Sequence, residues 1–377
     1  MIFNADIRTS FPIKDYVFFV VSNEPWGKQW FLKHHYAAEL ARLGYAVYFL
    51  DPVGAWSPSG LFSTGLERQA TDSSVDVISY QNPLPLRFLP DLALRGNDWL
   101  NAKKLEKLAD GRKSIVWQFD AFRFAYNFLP NSRKIYHVAD HYRDLHFDTQ
   151  NAENADLIVC TSETFMPYYS GFGKKILYVP HAVSSTESDV DGEHARLLRQ
   201  KFGDFLLHAG SVNDRIDLDI FLALTEEFGE HNLVLIGPDK ITRPENRAKW
   251  GRLLERGNFH FEGTVPASQV RDYAAASKTC LLAYQFDEMQ TLGPITSSLK
   301  VLNYLAQTRP IVSSSRIEYD SLIDRGIFYA EDLSAFIDLA RRALAGEIEV
   351  DKDVARQFLT EHSYVKFIGD ILSTLDF

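Results

Sequence analysis

Residues 205–237 read FLLHAGSVNDRIDLDIFLALTEEFGEHNLVLIG. An apolar run, FLLHAG (205–210), ends on a glycine. A loop of small and polar residues follows, then a stretch with helical spacing, then a second apolar run, NLVLIG (232–237). Each run is short and apolar at successive positions, the pattern of a strand buried on both faces. Strand, helix and strand at this spacing form a βαβ unit, which places the two strands parallel in one sheet.

The same alternation extends in both directions. Towards the N-terminus the strand candidates are 16–22, 45–50, 75–80, 114–119, 134–139, 156–162 and 176–180; towards the C-terminus they are 258–263, 279–284, 310–314 and 326–330. Helical stretches separate most of them, such as KQWFLKHHYAAELARLG (28–44), which closes on Gly44. Between the two sets lies SSTESDVDGEHARLLRQKFG (184–203), polar and then helical, without strand character. The expectation is an α/β chain of two Rossmann-like, doubly wound domains facing a central cleft. Residues 1–183 form the first, 184–203 the linker and 204–359 the second. The C-terminal helix, 360–377, is expected to pack back on the first. A ligand is expected in the crevice at the carboxyl ends of the strands.

At 377 residues the chain exceeds the usual size of one core. Its net charge of −10 argues against nucleic acid as a partner. Residues 1–180 carry 19 basic and 19 acidic side chains, so the whole acidic excess lies in the second half. Cys160 and Cys280, the only two cysteines, each sit in an apolar run, which favours core positions and a reducing, cytoplasmic compartment. The N-terminal residues lack the apolar core of a signal peptide, and no apolar run approaches the roughly 18 residues of a membrane span.

Several chemistries are excluded by motif. The first strand runs into SNEPWGKQW (22–30), without the GxGxxG of a dinucleotide site, and neither a P-loop nor a GxSxG elbow occurs. Asp217 and Asp219 form a DxD, but at a helix start, where aspartates complement the helix dipole. The histidines show no metal-ligand spacing, so no metal site is expected.

Three features converge on an anionic ligand. AGSVNDR (209–215) opens small residues onto a helix with Arg215 nearby, a loop that lets a phosphate approach closely. Thr296, Ser297 and Ser298 precede a helix that carries Lys300 in its first turn. YQFDEMQ (284–290) supplies the carboxylate of Glu288. All three follow strand ends of the same sheet, and a diphosphate flanked by a sugar and a ribose would satisfy cation, amides and carboxylate together.

With these residues in view, the order Gly210-Ser211-x-x-x-Arg215, then LVLIGP (233–238), NFHFEGTVP (258–266), YQFDE (284–288), SSLKVLNYLA (297–306) and RPIVSS (309–314) resembles the donor domain of GT-B glycosyltransferases. The first half resembles them more weakly, through ELARLGYAVYFLDP (39–52), KIYHVADHYRDL (134–145) and the segment from NAENADLIVCTSE (151–163) to YVPHAV (178–183). Two branches compete. Family 4-type retaining enzymes carry a second glutamate where this chain has Thr296 or, aligned on Lys300, Asn303. The Ser-Ser-Leu-Lys-x-x-amide-Tyr pattern is closer to the membrane-associated glucuronosyltransferases of xanthan-type polysaccharide assembly, an inverting branch. The resemblance implies a UDP-sugar as donor substrate, no other cofactor, and contact of Ser298, Leu299, Lys300 and Asn303 with the UDP moiety. Glu288 then lies near the sugar.

An inverting enzyme requires a carboxylate that takes the acceptor proton. Asp140, just beyond a strand end, is the first candidate and Asp120 in WQFDAFRF (117–124) the second. Lys300, with Arg215 and the amides near Ser298 and Ser211, would neutralise the departing UDP. The stretches 26–36 and 87–104 mix aromatic, leucine and basic residues. They suit a peripheral contact with the inner face of the cell membrane, where a polyprenyl-linked saccharide acceptor would reside. The competing functions are a GT-B-like protein that binds a nucleotide sugar or glycan without transfer, and a sugar-nucleotide epimerase.

Overall fold

A computed structural model describes residues 16–375, apart from 28–29, 55–64, 87–89, 127–128, 144, 184–189, 287–297 and 318. The chain divides into two compact units, with crossing points at 180/181 and 363/364.

The first unit is built on an eight-stranded sheet of β1 (Tyr16–Val21), β2 (Ala46–Leu50), β3 (Glu67–Ala70), β4 (Asp76–Ser79), β5 (Lys113–Gln118), β6 (Ser132–Val138), β7 (Leu157–Cys160) and β8 (Lys175–Tyr178), in the order β3-β4-β2-β1-β5-β6-β7-β8. Every pair is parallel except β3 with β4. Val17 to Val21 are buried, as a central strand covered on both faces must be. β3 reads ERQA and is exposed along its length, so no apolar periodicity announces it, and its charges protect a sheet edge. Its helices are α1 (Leu32–Arg42), α2 (Pro90–Ala109), α3 (Asp148–Glu153) and α4 (Met166–Tyr169). Gly44 follows α1 with φ +93°, the left-handed turn that ends the helix.

The second unit repeats the plan. β9 (Phe205–Ala209), β11 (Asn232–Ile236), β13 (Phe259–Gly263), β14 (Thr279–Leu282), β15 (Ile311–Ser313) and β16 (Ile327–Tyr329) form an all-parallel sheet in the order β13-β11-β9-β14-β15-β16. A small parallel pair, β10 (Val212–Asn213) with β12 (Asp239–Lys240), flanks it. The helices are α5 (Gly192–Phe202), α6 (Leu218–Glu227), α7 (Pro244–Leu254), α8 (Ala267–Ala276), α9 (Leu299–Ala306), α10 (Leu333–Ala345) and α11 (Lys352–Glu361). In both sheets strand order reverses between two neighbours, β1/β5 and β9/β14, the points where doubly wound sheets open a crevice.

Two boundaries differ from the sequence expectation. Residues 192–202, expected as the helical part of the linker, are helix α5, capped by Asp191, and belong to the second unit, in whose core Ala195, Leu198 and Phe202 are buried. The last helix, α12 (Tyr364–Thr374), begins after Ser363 and belongs to the first unit, whereas α11 stays with the second. The reason is packing. Tyr364 sets its ring 4.9 Å from Tyr36 and 5.5 Å from His35 of α1.

Candidate functional site

The site is assembled around the reversal point of the second sheet. β9 ends on Ala209, whose amide donates to the Tyr304 hydroxyl of α9 at 2.8 Å. Gly210 follows with φ +134°, a backbone region that essentially only glycine enters. A Cβ at Gly210 would lie 2.4 Å from Cε and 2.6 Å from Nζ of Lys300. A Cβ at Gly237, also at positive φ, would lie 2.1 Å from the Gly210 carbonyl oxygen. The two glycines therefore let the backbones that follow β9 and β11 pack directly on one another and let the Lys300 side chain lie against Gly210.

Lys300 is in the first turn of α9. Its ammonium donates to the Tyr284 hydroxyl at 3.0 Å and stands 5.3 Å from that ring's centroid. Burial alone would raise the Tyr284 phenol. The adjacent ammonium, its hydrogen bond and Arg215 outweigh burial and hold it below its ordinary value. Buried His208 is pushed far below the usual imidazole range by burial and then by Lys300. Ser298 is the N-cap of α9, but its hydroxyl does not close the first turn; its amide donates to Tyr319 at 3.4 Å. Leu299 and Asn303 are half-buried on the same short helix.

The loop after Gly210 is held from several sides. Ile216 pairs with Tyr284, the Asp217 amide donates to the Ala283 carbonyl, and the Gln285 amide to the Arg215 carbonyl. The Asp214 carboxylate accepts from the Thr242 hydroxyl, from Asn246 at the start of α7 and from the amides of Arg243 and Thr242, which lowers its pKa strongly. Ser211 is half-buried and Arg215 exposed, so the fixed backbone presents the guanidinium outward. Asp217 caps α6 through the Asp219 amide and Asp219 pairs with Lys249, so the DxD motif serves that helix start.

Gly210, Ser211, Arg215, Ser298, Leu299, Lys300 and Asn303 thus lie on the two segments that meet where Lys300 contacts Gly210, whereas Glu288 lies outside the described residues. Sequence reasoning missed Tyr284, Gly237 and Tyr304 as parts of this site. All three stand inside motifs it quoted, but the reach of the Tyr304 hydroxyl to Ala209 is a long-range contact with no local signal.

At the corresponding reversal point of the first sheet, Asp120 is buried and paired with Arg123 at 2.8 Å, and it also accepts from the Phe122 amide. The Arg123 guanidinium donates further to the Ser22 carbonyl at 2.8 Å and to the Tyr80 hydroxyl. Lys33 of α1 is buried beside Asn23 and Glu24, and burial lowers it to about 8. Asp140, beyond the end of β6, is exposed and, among the described residues, accepts only from the next amide, that of His141 at 2.8 Å. Of the two carboxylates, Asp120 is committed to structure and Asp140 is open to solvent.

Among the described residues, no group of three or more His, Cys, Asp or Glu side chains is placed to hold a metal ion, and no helix is long and apolar enough to cross a membrane. No family model and no curated relative matches the chain. Solved structures do match. HepE of Anabaena, in complex with UDP and glucose, aligns over 96% of this chain and 100% of its own, with TM-score 0.63 and 13% identity. Sucrose-phosphate synthase from Thermosynechococcus elongatus aligns over 96% and 99%, with TM-score 0.62 and 14% identity. The lipopolysaccharide outer core galactosyltransferase WaaB, in its apo form, aligns over 96% and 100%, with TM-score 0.55 and 14% identity. These neighbours are GT-B glycosyltransferases, and the fold of this chain is GT-B, with two Rossmann-like domains.

Proposed function

We propose that the protein is a glycosyltransferase that moves a sugar from a UDP-sugar donor to a saccharide or lipid-linked saccharide acceptor in polysaccharide or glycan biosynthesis. The observation that carries this reading is the Lys300 ammonium held against Gly210, at the end of β9 and the start of α9. That arrangement offers a fixed cation and a helix N-terminus to one anion. The UDP held by HepE in its crystal structure supports a nucleotide diphosphate as that anion.

In the proposed reaction the acceptor hydroxyl oxygen attacks the anomeric carbon, and the bond from that carbon to the β-phosphate oxygen breaks. The acceptor proton passes to Asp140, and UDP leaves with the bonding pair. Lys300 and Arg215 stabilise the charge that develops on UDP, so the step is proposed to run without a required metal. Ser298, Leu299 and Asn303 contact the UDP moiety in this reading, and Glu288 serves the sugar. An inverting hexosyl or glucuronosyl transfer of the xanthan-assembly type is the finer form of the proposal. The lipid-linked acceptor and a peripheral contact with the cytoplasmic face of the membrane complete the proposal, the contact supported by Leu92, exposed on α2.

A panel of UDP-sugars, read as UDP released without added metal, tests the reading on the wild type and Lys300→Ala in parallel. Lysine-dependent release from one donor is expected. No release from any donor, together with thermal stability unchanged by UDP, would overturn it. Stabilisation by UDP without turnover would select the non-catalytic binding protein instead.

A further inference from the structure

An open groove of about 320 Å³ on the first unit is lined by Arg95, Gly96, Trp99 and Tyr126, none of them a residue of the Lys300 site. Its volume falls at the lower end of the range for small-ligand sites. We infer that this groove is a subsite for an acidic sugar unit of the acceptor, its ring stacked on Trp99 and its carboxylate held by Arg95.

The walls are fixed by buried polar side chains. Asn97, fully buried, accepts from the Leu84 amide at 2.6 Å and donates to the Leu84 carbonyl at 2.9 Å. Asp98, also buried, accepts from the Phe124 amide at 2.6 Å. Gly96 lets the chain at Leu84 come close, since a Cβ there would stand 2.8 Å from Leu84 Cδ1. These contacts tie α2 to the loop after β4 and to the loop that carries Asp120, Arg123 and Tyr126 away from β5. The groove therefore lies at the carboxyl edge of the sheet, the side on which doubly wound folds take ligands.

Its chemistry is specific. Trp99 is 49% exposed although it is a large ring on a rigid helix. The Arg95 guanidinium lies 4.8 Å from the Tyr126 ring centroid, and no ion pair within 4.0 Å involves it among the described residues. A flat ring and a cation with unspent donors suit the apolar C–H face of a sugar and a carboxylate together. A lipid surface fits less well on chemical grounds, because a bilayer headgroup region uses neither a stacked sugar face nor a single paired carboxylate. The exposed Asp91 on the same helix also opposes an anionic bilayer.

The proposal rests on the glycosyltransferase reading for the word acceptor, but its test is independent of donor binding. Calorimetric titration with a glucuronate-terminated disaccharide and with its neutral glucose counterpart is run on the wild type, Trp99→Ala and Arg95→Ala. Each protein is also checked for thermal stabilisation by UDP. The wild type should prefer the acidic disaccharide. Arg95→Ala should lose that preference, weakening the acidic ligand about tenfold while leaving the neutral one unchanged, and Trp99→Ala should weaken both. Equal binding of the acidic disaccharide by all three proteins, or by none, would overturn the proposal. Flotation with anionic vesicles that Trp99→Ala abolishes, without any saccharide effect, would assign the groove to a membrane and overturn it as well. Absence of a UDP response with saccharide binding as expected would sink the donor reading alone.

Discussion

A Cβ placed on Gly210 would stand 2.4 Å from Cε of Lys300, closer than real Cβ contacts come. The glycine and the lysine are therefore one device. At φ +134° the residue is strained for any L side chain, at a cost of about 1–3 kcal/mol, and the added carbon would also displace the ammonium. Gly210→Ala is expected to lose the thermal stabilisation given by UDP as fully as Lys300→Ala does, with a lower melting temperature in addition. A Gly210→Ala protein with an undiminished UDP response would separate the two residues.

Lys300→Ala should lower the rate of UDP release by a factor on the order of 10²–10³, the usual effect of removing one preorganised stabiliser of a leaving group. The same variant has an optical signature. Lys300 holds the Tyr284 phenol below its ordinary value against the opposing effect of burial. Absorbance titration should therefore show one tyrosine moving to higher pH in the variant. The sign for stability follows: with Tyr284 depressed in the folded state, the unfolded chain binds more protons in the alkaline window. Wild-type stability should rise there relative to Lys300→Ala.

The two carboxylates of the first unit should separate by phenotype. Asp140→Asn keeps an oxygen for the His141 amide and removes only the charge, so melting should be almost unchanged while turnover falls about 100-fold or more with UDP binding intact. Asp120→Asn removes the buried partner of Arg123, which leaves an uncompensated guanidinium and costs about 3–5 kcal/mol. Urea unfolding and initial rates on both variants check the pair. Full activity of Asp140→Asn would exclude it as the base.

The strands were legible because parallel strands buried on both faces are apolar at successive positions, and the helix start at Ser298 because a hydroxyl run precedes an apolar stretch of helical spacing. β3 escaped because ERQA is an exposed edge whose pairing comes from its neighbour. The Asp120, Arg123 and Tyr80 cluster escaped for a different reason. Its members lie on separate loops, and nothing local indicates that a guanidinium is buried among them. The ownership of α12 was legible in outline only, since helices α11 and α12 are both amphipathic and the break between them depends on what each one meets.

Asp98 supplies the last expectation. Burial pushes its carboxyl up to about 7, against the Phe124 amide bond and the charges of Arg123 and Lys134. An acid raised in the folded state contributes stability that is fully present below its unfolded value, about 4, and is lost as pH rises through about 7. Asp98→Asn keeps an oxygen for the Phe124 amide and removes the titration. Chemical denaturation of both proteins from about pH 4.5 to 8 should show the wild type losing stability relative to the variant across that window, with no further divergence above it. Parallel curves would mean that Asp98 is ionised in the folded protein throughout, its charge held by the Arg123 and Lys134 cations.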